Sequence, residues 1–421
     1  MSKPASLNAG SNWSHCLIER PSRAFGLRMQ AMRGTKRTGR VFDLNSLNTR
    51  NDEWGAVPES GTMGEGDGFM RRAIELAERG RGRVMPNPLV GCVLVRDGAV
   101  IAEGWHDHIG GLHAEQMAIA DAEVRGIPTS GATAYITLEP CNHFGRTPPC
   151  TEALLWAGIT HVVIGAEDPN PTVRGGGTAA LRAEGVEVEE GLLQDECEEQ
   201  MLEFMHWCRS KRPHVLLKAA IDSHGRIDGD SELPAERFSS EASLELVHEL
   251  RAASMAILVG INTVIRDNPS LTVRGPDIGP REHPLRVVID PNCRIPSDCA
   301  LLRDGAAPTL VIHCAEPSAF EDAPHVERVV LTDDDGEISV TRILDMLGDR
   351  GVQSLMVEGG ADTWRRFLAE EAVDRAHLCR SPFTLPGDDG ITFSEHELAA
   401  AGLKRVSVID VDGDEVSRWK R

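Results

Sequence analysis

From Asp67 onward, apolar runs of strand length alternate with stretches whose apolar residues recur at helical spacing. In the first part of this region strands are predicted at 90–95, 99–105, 132–138, 162–166 and 186–190. Helices are predicted from Phe69 to Ala77, stopped by Gly80, and at 113–125, 150–157, 178–184 and 194–208. Asp97-Gly98 between the first two strands is a hairpin signal. Strands alternating with helices predict an α/β class with a covered sheet. The stretch Arg209-Ser210-Lys211-Arg212-Pro213 is basic, polar and closed by proline, and reads as a seam. A second α/β series follows, with strands at 215–221, 256–261, 286–290, 309–313, 328–331, 355–358 and 375–379 and helices at 241–252, 340–347 and 361–370. Residues 406–419 read as a closing hairpin turned at Asp412-Gly413. Two domains are therefore expected, at 65–212 and 213–421.

Residues 1–64 lack this periodicity. Their first 42 positions hold eight Lys or Arg and one acid, Glu19, with five serines among the first 22. Such composition fits a disordered extension or a start codon placed upstream, and equally an organellar transit peptide. A cytoplasmic location is expected, with a plastid as the alternative.

Charge narrows the function classes. The chain has 421 residues, 65 acids against 44 Lys and Arg, and a formal net charge of -21. A nucleic-acid binder would carry a basic face. No apolar run of about 18 uncharged residues offers a membrane span. At 41% hydrophobic the chain has ample material for cores. Ten scattered cysteines in so long a chain, with no secretory signal, are expected as thiols.

The richest chemistry lies between His113 and Cys150. His113, Cys141 and Cys150 make a three-ligand set for zinc, and three protein ligands leave the fourth tetrahedral position to water, as catalytic sites do. Zinc lowers the pKa of such a water from ~15.7 to near ~7. Glu115, two residues from His113, is placed to carry the proton from that water to a leaving amine. His-x-Glu followed by Pro-Cys is the signature of zinc deaminases, which in general close it as C-x-x-C. Here the second spacing is C-x8-C. A closed structural site would need a fourth ligand, for which His143 is the candidate.

These residues sit in a longer pattern. Pro86-Asn87-Pro88-Leu89-Val90-Gly91-Cys92, Gly104-Trp105-His106, His113-Ala114-Glu115, the run from Thr137 to Cys150 and Asp168-Pro169-Asn170-Pro171 resemble, in order and spacing, the deaminase half of the bifunctional riboflavin-biosynthesis deaminase/reductases. The C-x8-C loop is that family's own form. The resemblance implies a cytidine-deaminase-like αβα layer domain. It also implies a small-molecule substrate, a diaminohydroxypyrimidinone bearing a ribosylamino phosphate. Asn87, His106, His143 and Arg146 fall on positions that line its pocket. Asn87 offers an amide to a base edge, and Arg146 or His106 a partner to the phosphate. Asn142 stands where Ser is expected.

Bottom-up, the second part shows only a strand-to-helix turn, Val357-Glu358-Gly359-Gly360-Ala361, whose backbone N–H groups can approach a phosphate. Lys218-Ala219-Ala220, the run from Val247 to Ala252, the run from Ile257 to Val264, the run from Asp267 to Arg274 and Glu358-Gly359-Gly360 resemble the reductase half of the same family. This implies a dihydrofolate-reductase-like α/β domain using NADPH. By position Lys218, Asp267 and Glu358 form its polar core. Arg251, Leu271, Arg274 and Glu358 hold substrate, and Ala220, Thr263, Asp267 and Gly360 hold the cofactor. The chain departs from the pattern at Asp222-Ser223-His224-Gly225-Arg226, in an insertion after Asp230, at Pro291 and at Ser381-Pro382-Phe383-Thr384-Leu385, where a lysine is lost. The expectation is a bifunctional homo-oligomer with Zn2+ and NADPH as cofactors, acting on neither nucleic acid nor membrane. The alternatives are a deaminase with a degenerate second half and a deaminase of nucleic-acid bases.

Overall fold

The computed structural model describes residues 64–144, 148–170, 176–229, 235–316, 323–333, 336–387 and 390–421. Residues 1–63, Arg146 and residues 230–234 of the stretch after Arg226 lie outside the described residues.

The first part is one five-stranded sheet in the order β2-β1-β3-β4-β5. Its elements are α1 (Glu65–Glu78), β1 (Gly91–Arg96), β2 (Ala99–Trp105), α2 (Ala114–Val124), β3 (Thr133–Leu138), α3 (Cys150–Trp156), β4 (His161–Ala166), α4 (Gly176–Ala183), β5 (Glu187–Glu190), α5 (Gln194–Gln200) and α6 (Leu202–Ser210). β1 runs antiparallel to both β2 and β3, and β3, β4 and β5 are parallel. Side chains alternate across a strand, so β1 buries both faces. Val93 and Val95 pack with Met70, Ile74, Met201 and Met205 from α1 and the α5–α6 segment, whereas Cys92 and Leu94 pack with Ala114, Ala118, Leu154 and Leu181 from α2, α3 and α4. The result is three layers, αβα.

The second part is a nine-stranded sheet in the order β10-β9-β8-β7-β11-β6-β12-β14-β13. It comprises β6 (His214–Ile221), α7 (Glu241–Ala252), β7 (Ala256–Gly260), α8 (Ile261–Asp267), β8 (Leu285–Ile289), α9 (Ala300–Arg303), β9 (Thr309–His313), β10 (Val326–Val330), α10 (Val340–Asp349), β11 (Ser354–Gly359), α11 (Ala361–Ala369), β12 (Arg375–Arg380), α12 (Glu395–Ala400), β13 (Lys404–Val411) and β14 (Asp414–Lys420). All strands from β10 to β12 are parallel, and the closing hairpin adds two antiparallel strands. β6 comes first in sequence yet lies between β11 and β12. Val215, Leu217, Ala219 and Ile221 face the core built on α10 and α11, which by period 2 sends Lys218 and Ala220 to the opposite face.

Several expectations are adjusted. The helix expected at 194–208 is two helices: Met201 leaves helical geometry (φ -112, ψ 30) where Gln200 turns inward to donate to the Ile74 carbonyl at 2.7 Å. The strand expected to end at Ile261 ends at Gly260, and Ile261 opens α8. α8, α9 and α12 were not expected. Among the described residues no helix is long and apolar enough to cross a membrane.

Candidate functional site

α2 is set close against β2 by Gly104, where a Cβ would lie 2.3 Å from the Ala114 carbonyl oxygen. This places the N-terminus of α2 at the sheet. His113 is the N-cap and Glu115 lies in the first turn, 3% exposed. Gln116 fixes that turn from both ends: its Oε1 accepts from His113 N–H at 3.3 Å and its Nε2 donates to the Pro148 carbonyl at 2.9 Å. Pro148 precedes Cys150, the first residue of α3. Cys141 follows the end of β3, and its Sγ accepts from Cys150 N–H at 3.5 Å. Asn142 closes the loop, accepting from the Thr151 hydroxyl at 2.8 Å.

His113 Nδ1 is 3.2 Å from Cys150 Sγ and 3.6 Å from Cys141 Sγ. Zinc bonds of ~2.1 Å to nitrogen and ~2.3 Å to sulfur, at tetrahedral angles, put N and S about 3.6 Å apart. The three donors, all within 4.8 Å of one another, fit that ion in spacing and softness. His143 is exposed and is not in the group, so it does not make the fourth ligand of a closed site. The Cys150 thiol and the imidazole beside it hold Cys141 down to about 4, while the same hydrogen bond and burial push Cys150 up. Burial raises the Glu115 carboxyl.

His106 is 4% exposed, and its ring meets that of His113 edge-on at 5.6 Å. Its Nδ1 donates to the Leu112 carbonyl at 2.9 Å, which makes Nε2 the acceptor of Asn87 Nδ2–H at 3.0 Å. Burial lowers its pKa. Both ring nitrogens are thus engaged, one by the Leu112 carbonyl and one by the Asn87 amide.

Glu139, inside the Thr137–Cys150 motif but given no role from sequence, clamps the far side of the site. Its Oε1 accepts from Gly177 N–H and Thr178 N–H at 3.0 and 3.1 Å, and its Oε2 from Asp168 N–H at 3.4 Å. Burial lifts the Asp168 carboxyl to about 6.

In the nine-stranded sheet a cleft of about 930 Å³ opens over the C-terminal ends of β6, β7 and β11. Lys218, Ala220, Arg251, Thr263, Asp267, Leu271, Arg274, Glu358 and Gly360 all line it. The end of parallel strands is where α/β sheets hold ligands. Arg251 grips Glu358 through two bonds of 2.6 and 2.7 Å and donates to the Thr272 carbonyl at 3.1 Å, which uses three of the five N–H donors of a guanidinium. Arg274 is exposed at the rim, and its side chain donates to the His248 ring at 3.2 Å. Burial lowers the Lys218 ammonium, against the pull of Glu358, and raises Asp267 with help from Asp228. Gly360 has φ 78 and abuts Thr263: a Cβ on it would lie 3.3 Å from Thr263 Oγ1. Leu271 is held at φ 48 while buried, a strained geometry of the kind that collects at ligand clamps. These features fit a dinucleotide at the Gly-Gly turn and a second ligand toward Arg274. The pair Arg266–Asp228, at 2.8 and 3.0 Å, also lines the cleft and had no signal in the sequence.

Of the departures from the family pattern, Ala235, Glu236, Arg237, Phe238 and Ser239 in the stretch after Asp230 line this cleft. His224 is exposed and does not line it. Asp222 is fully buried, paired with Arg226 and bonded by the backbone N–H groups of His224, Arg226 and Leu385. Arg226 in turn donates to the carbonyls of Leu385 and Gly387. The changed turn and the changed late segment are therefore locked to each other. Pro291 does line the cleft.

Residues 63–166 match the model for the cytidine and deoxycytidylate deaminase zinc-binding region, and residues 213–415 the model for the RibD C-terminal domain. The riboflavin biosynthesis protein RibD of Actinobacillus pleuropneumoniae is 39% identical over 333 residues, 77% of this chain and 85% of that protein. That of Aquifex aeolicus is 36% identical over 363 residues, 84% and 98% of the two chains. Among solved structures, the diaminohydroxyphosphoribosylaminopyrimidine deaminase/5-amino-6-(5-phosphoribosylamino)uracil reductase of Thermotoga maritima superposes with a TM-score of 0.73 at 37% identity, covering 85% of this chain and 98% of that one. Acinetobacter baumannii RibD gives 0.74 at 34%, with the same coverage. The cytidine-deaminase-like and dihydrofolate-reductase-like domains expected from the sequence are both present. With its two halves matched and its length covered at this identity, the chain belongs to the RibD family of riboflavin biosynthesis proteins.

Proposed function

We propose that this chain performs two successive steps of riboflavin synthesis. The first is hydrolytic deamination of 2,5-diamino-6-(5-phosphoribosylamino)pyrimidin-4(3H)-one, and the second is NADPH-dependent reduction of the ribosyl chain to ribityl. The observation that carries the reading is the pairing, in one chain, of a soft three-ligand metal group beside a buried carboxyl with a separate cleft over a parallel sheet. The deaminase half is assigned to 65–212 and the reductase half to 213–421.

When bound, zinc supplies Lewis acidity and a water acidic enough to ionise near neutrality, and NADPH supplies the reducing equivalents. His113, Cys141 and Cys150 hold the metal. Glu115 takes a proton from the attacking water and delivers it to the departing amine; its burial suits a carboxyl that must carry a proton near neutral pH. Asn87, held by His106, reads the pyrimidine edge, and His143 and Arg146 complete that pocket. In the cleft, Thr263, Ala220, Asp267 and the Gly359-Gly360 turn hold the dinucleotide. Arg274 and Leu271 hold the phosphorylated substrate. Lys218 and Glu358, the latter oriented by Arg251, flank the ribosylamine as its ring opens. Pro291 brings neither a hydroxyl nor an N–H, so NADPH binding weaker than in relatives with Ser there is expected. A homo-oligomer in the cytoplasm acting on this small molecule completes the proposal.

Supplying the ribosylaminopyrimidine phosphate to the purified protein tests it. Ammonia release without NADPH, and NADPH consumption only once the deaminated product has formed, are the expected results. Ammonia release with no NADPH loss would leave a deaminase carrying a degenerate second half. Absence of ammonia release would overturn the reading.

A further inference from the structure

The turn that carries Asn87, between α1 and β1, rests on the other half of the molecule. Gly82 at φ +76 lies so close to the end of α7 that a Cβ would stand 3.1 Å from the Ala252 carbonyl oxygen. Met85 Sδ accepts from Arg281 Nη1 at 3.9 Å and from the Ser354 hydroxyl at 3.8 Å. Arg281 is anchored by donating to the carbonyls of Ala252 and Ser254 at 2.8 and 3.2 Å.

Arg83 sits at the centre of this contact. Its Nη1 donates to Asp277 at 2.9 Å, across the boundary, and its Nη2 to Asp107 at 3.3 Å, within its own half. Its carbonyl accepts from Ile109 N–H at 3.0 Å. Asp107 is the neighbour of His106, and His106 is the acceptor that orients the Asn87 amide. Asp277 belongs to the same loop as Arg274 at the rim of the cleft. One guanidinium thus joins the loop that orients Asn87 to the loop at the mouth of the second site.

We propose that Arg83, held between Asp107 and Asp277, is a positioning residue through which the C-terminal half sets Asn87 in the deaminase pocket. The proposal rests on the reading that Asn87 binds the pyrimidine. Asp277 is 72% exposed at its side chain, so the pair contributes little to stability. Its effect is geometric. An amide that must meet a base edge loses binding when it shifts by a fraction of an ångström. Neither carboxylate touches the metal group, so the effect falls on substrate binding and leaves the metal chemistry intact.

The test uses the full chain and five variants: Asn87→Ala, Arg83→Ala, Arg83→Lys, Asp277→Asn and the double variant Arg83→Ala/Asp277→Asn. KM and kcat for ammonia release are measured together with zinc content. Asp277→Asn, a substitution in the reductase half, is expected to raise the deamination KM about threefold. Arg83→Ala is expected to raise it about tenfold. In both, kcat changes by less than about twofold and zinc remains stoichiometric. Arg83→Lys recovers part of the loss, and the double variant is no worse than Arg83→Ala, because both act through one link. A wild-type KM in Asp277→Asn, a loss confined to kcat, or losses that multiply in the double variant would each overturn the proposal. Asn87→Ala separates it from the reading beneath. If that variant raises KM and Asp277→Asn does not, the link alone falls; if Asn87→Ala leaves KM unchanged, the role of Asn87 falls and the link with it.

Discussion

A carboxyl group sealed beside two sulfur ligands is disposed to keep a proton, and Glu115 is in that position. Replacing it by Gln preserves shape and hydrogen bonding but removes the proton carrier. Ammonia release is expected to fall at least ~10²-fold in Glu115→Gln with zinc retained, and metal analysis alongside the rate assay checks both. Cys141→Ser and Cys150→Ser are expected instead to lose the metal, because a hydroxyl is a poor substitute for thiolate at zinc. In the other half the residue of interest has no side chain. Gly360 occupies a conformation that an L residue enters only with strain, against Thr263. Gly360→Ala is expected to weaken NADPH binding about tenfold by displacing the turn, as read by fluorescence titration. An unchanged affinity would place the cofactor elsewhere.

At the scale of elements, legibility followed physical cause. β1 was readable because an inner strand buried on both faces is a continuous apolar run. α8 was not: Ile261, Thr263 and Val264 are β-branched and continue the strand pattern, and only the burial of Ile261 and Val264 beneath the sheet bends the chain into a helix. The metal group was legible because soft ligands at fixed spacing have few other uses. Glu139 and Gln116 were not, since a side chain bonded to backbone leaves no periodic trace in sequence. Asp222 belongs with these. It departs from the family pattern, and it tethers two segments through one buried pair. Asp222→Ala leaves Arg226 without its partner and is expected to cost about 3–5 kcal/mol, seen as a lower denaturation midpoint. A change under about 1 kcal/mol would show that water replaces the carboxylate.

For the whole molecule, two chemistries on separate sheets predict separable losses. A chelator is expected to abolish ammonia release while NADPH oxidation continues with supplied deaminated product, since no metal group lies in the second cleft among the described residues. Parallel loss of both rates would mean that the metal holds the two halves together. The strand order carries a further consequence, for how the chain is made. β6 leaves the ribosome first of its sheet, yet both its neighbours, β11 and β12, come from residues 354–380. Until they emerge, an apolar strand with two open edges waits in solution, the kind of segment that pairs with its copies. The zinc-bearing half is already complete by then, and it joins β6 with only a short link after α6. During synthesis the first domain therefore acts as a tethered companion to an unfinished one, and a messenger truncated before β11 would yield the zinc-binding half attached to an aggregating tail, without the C-terminal fold that sets Asn87.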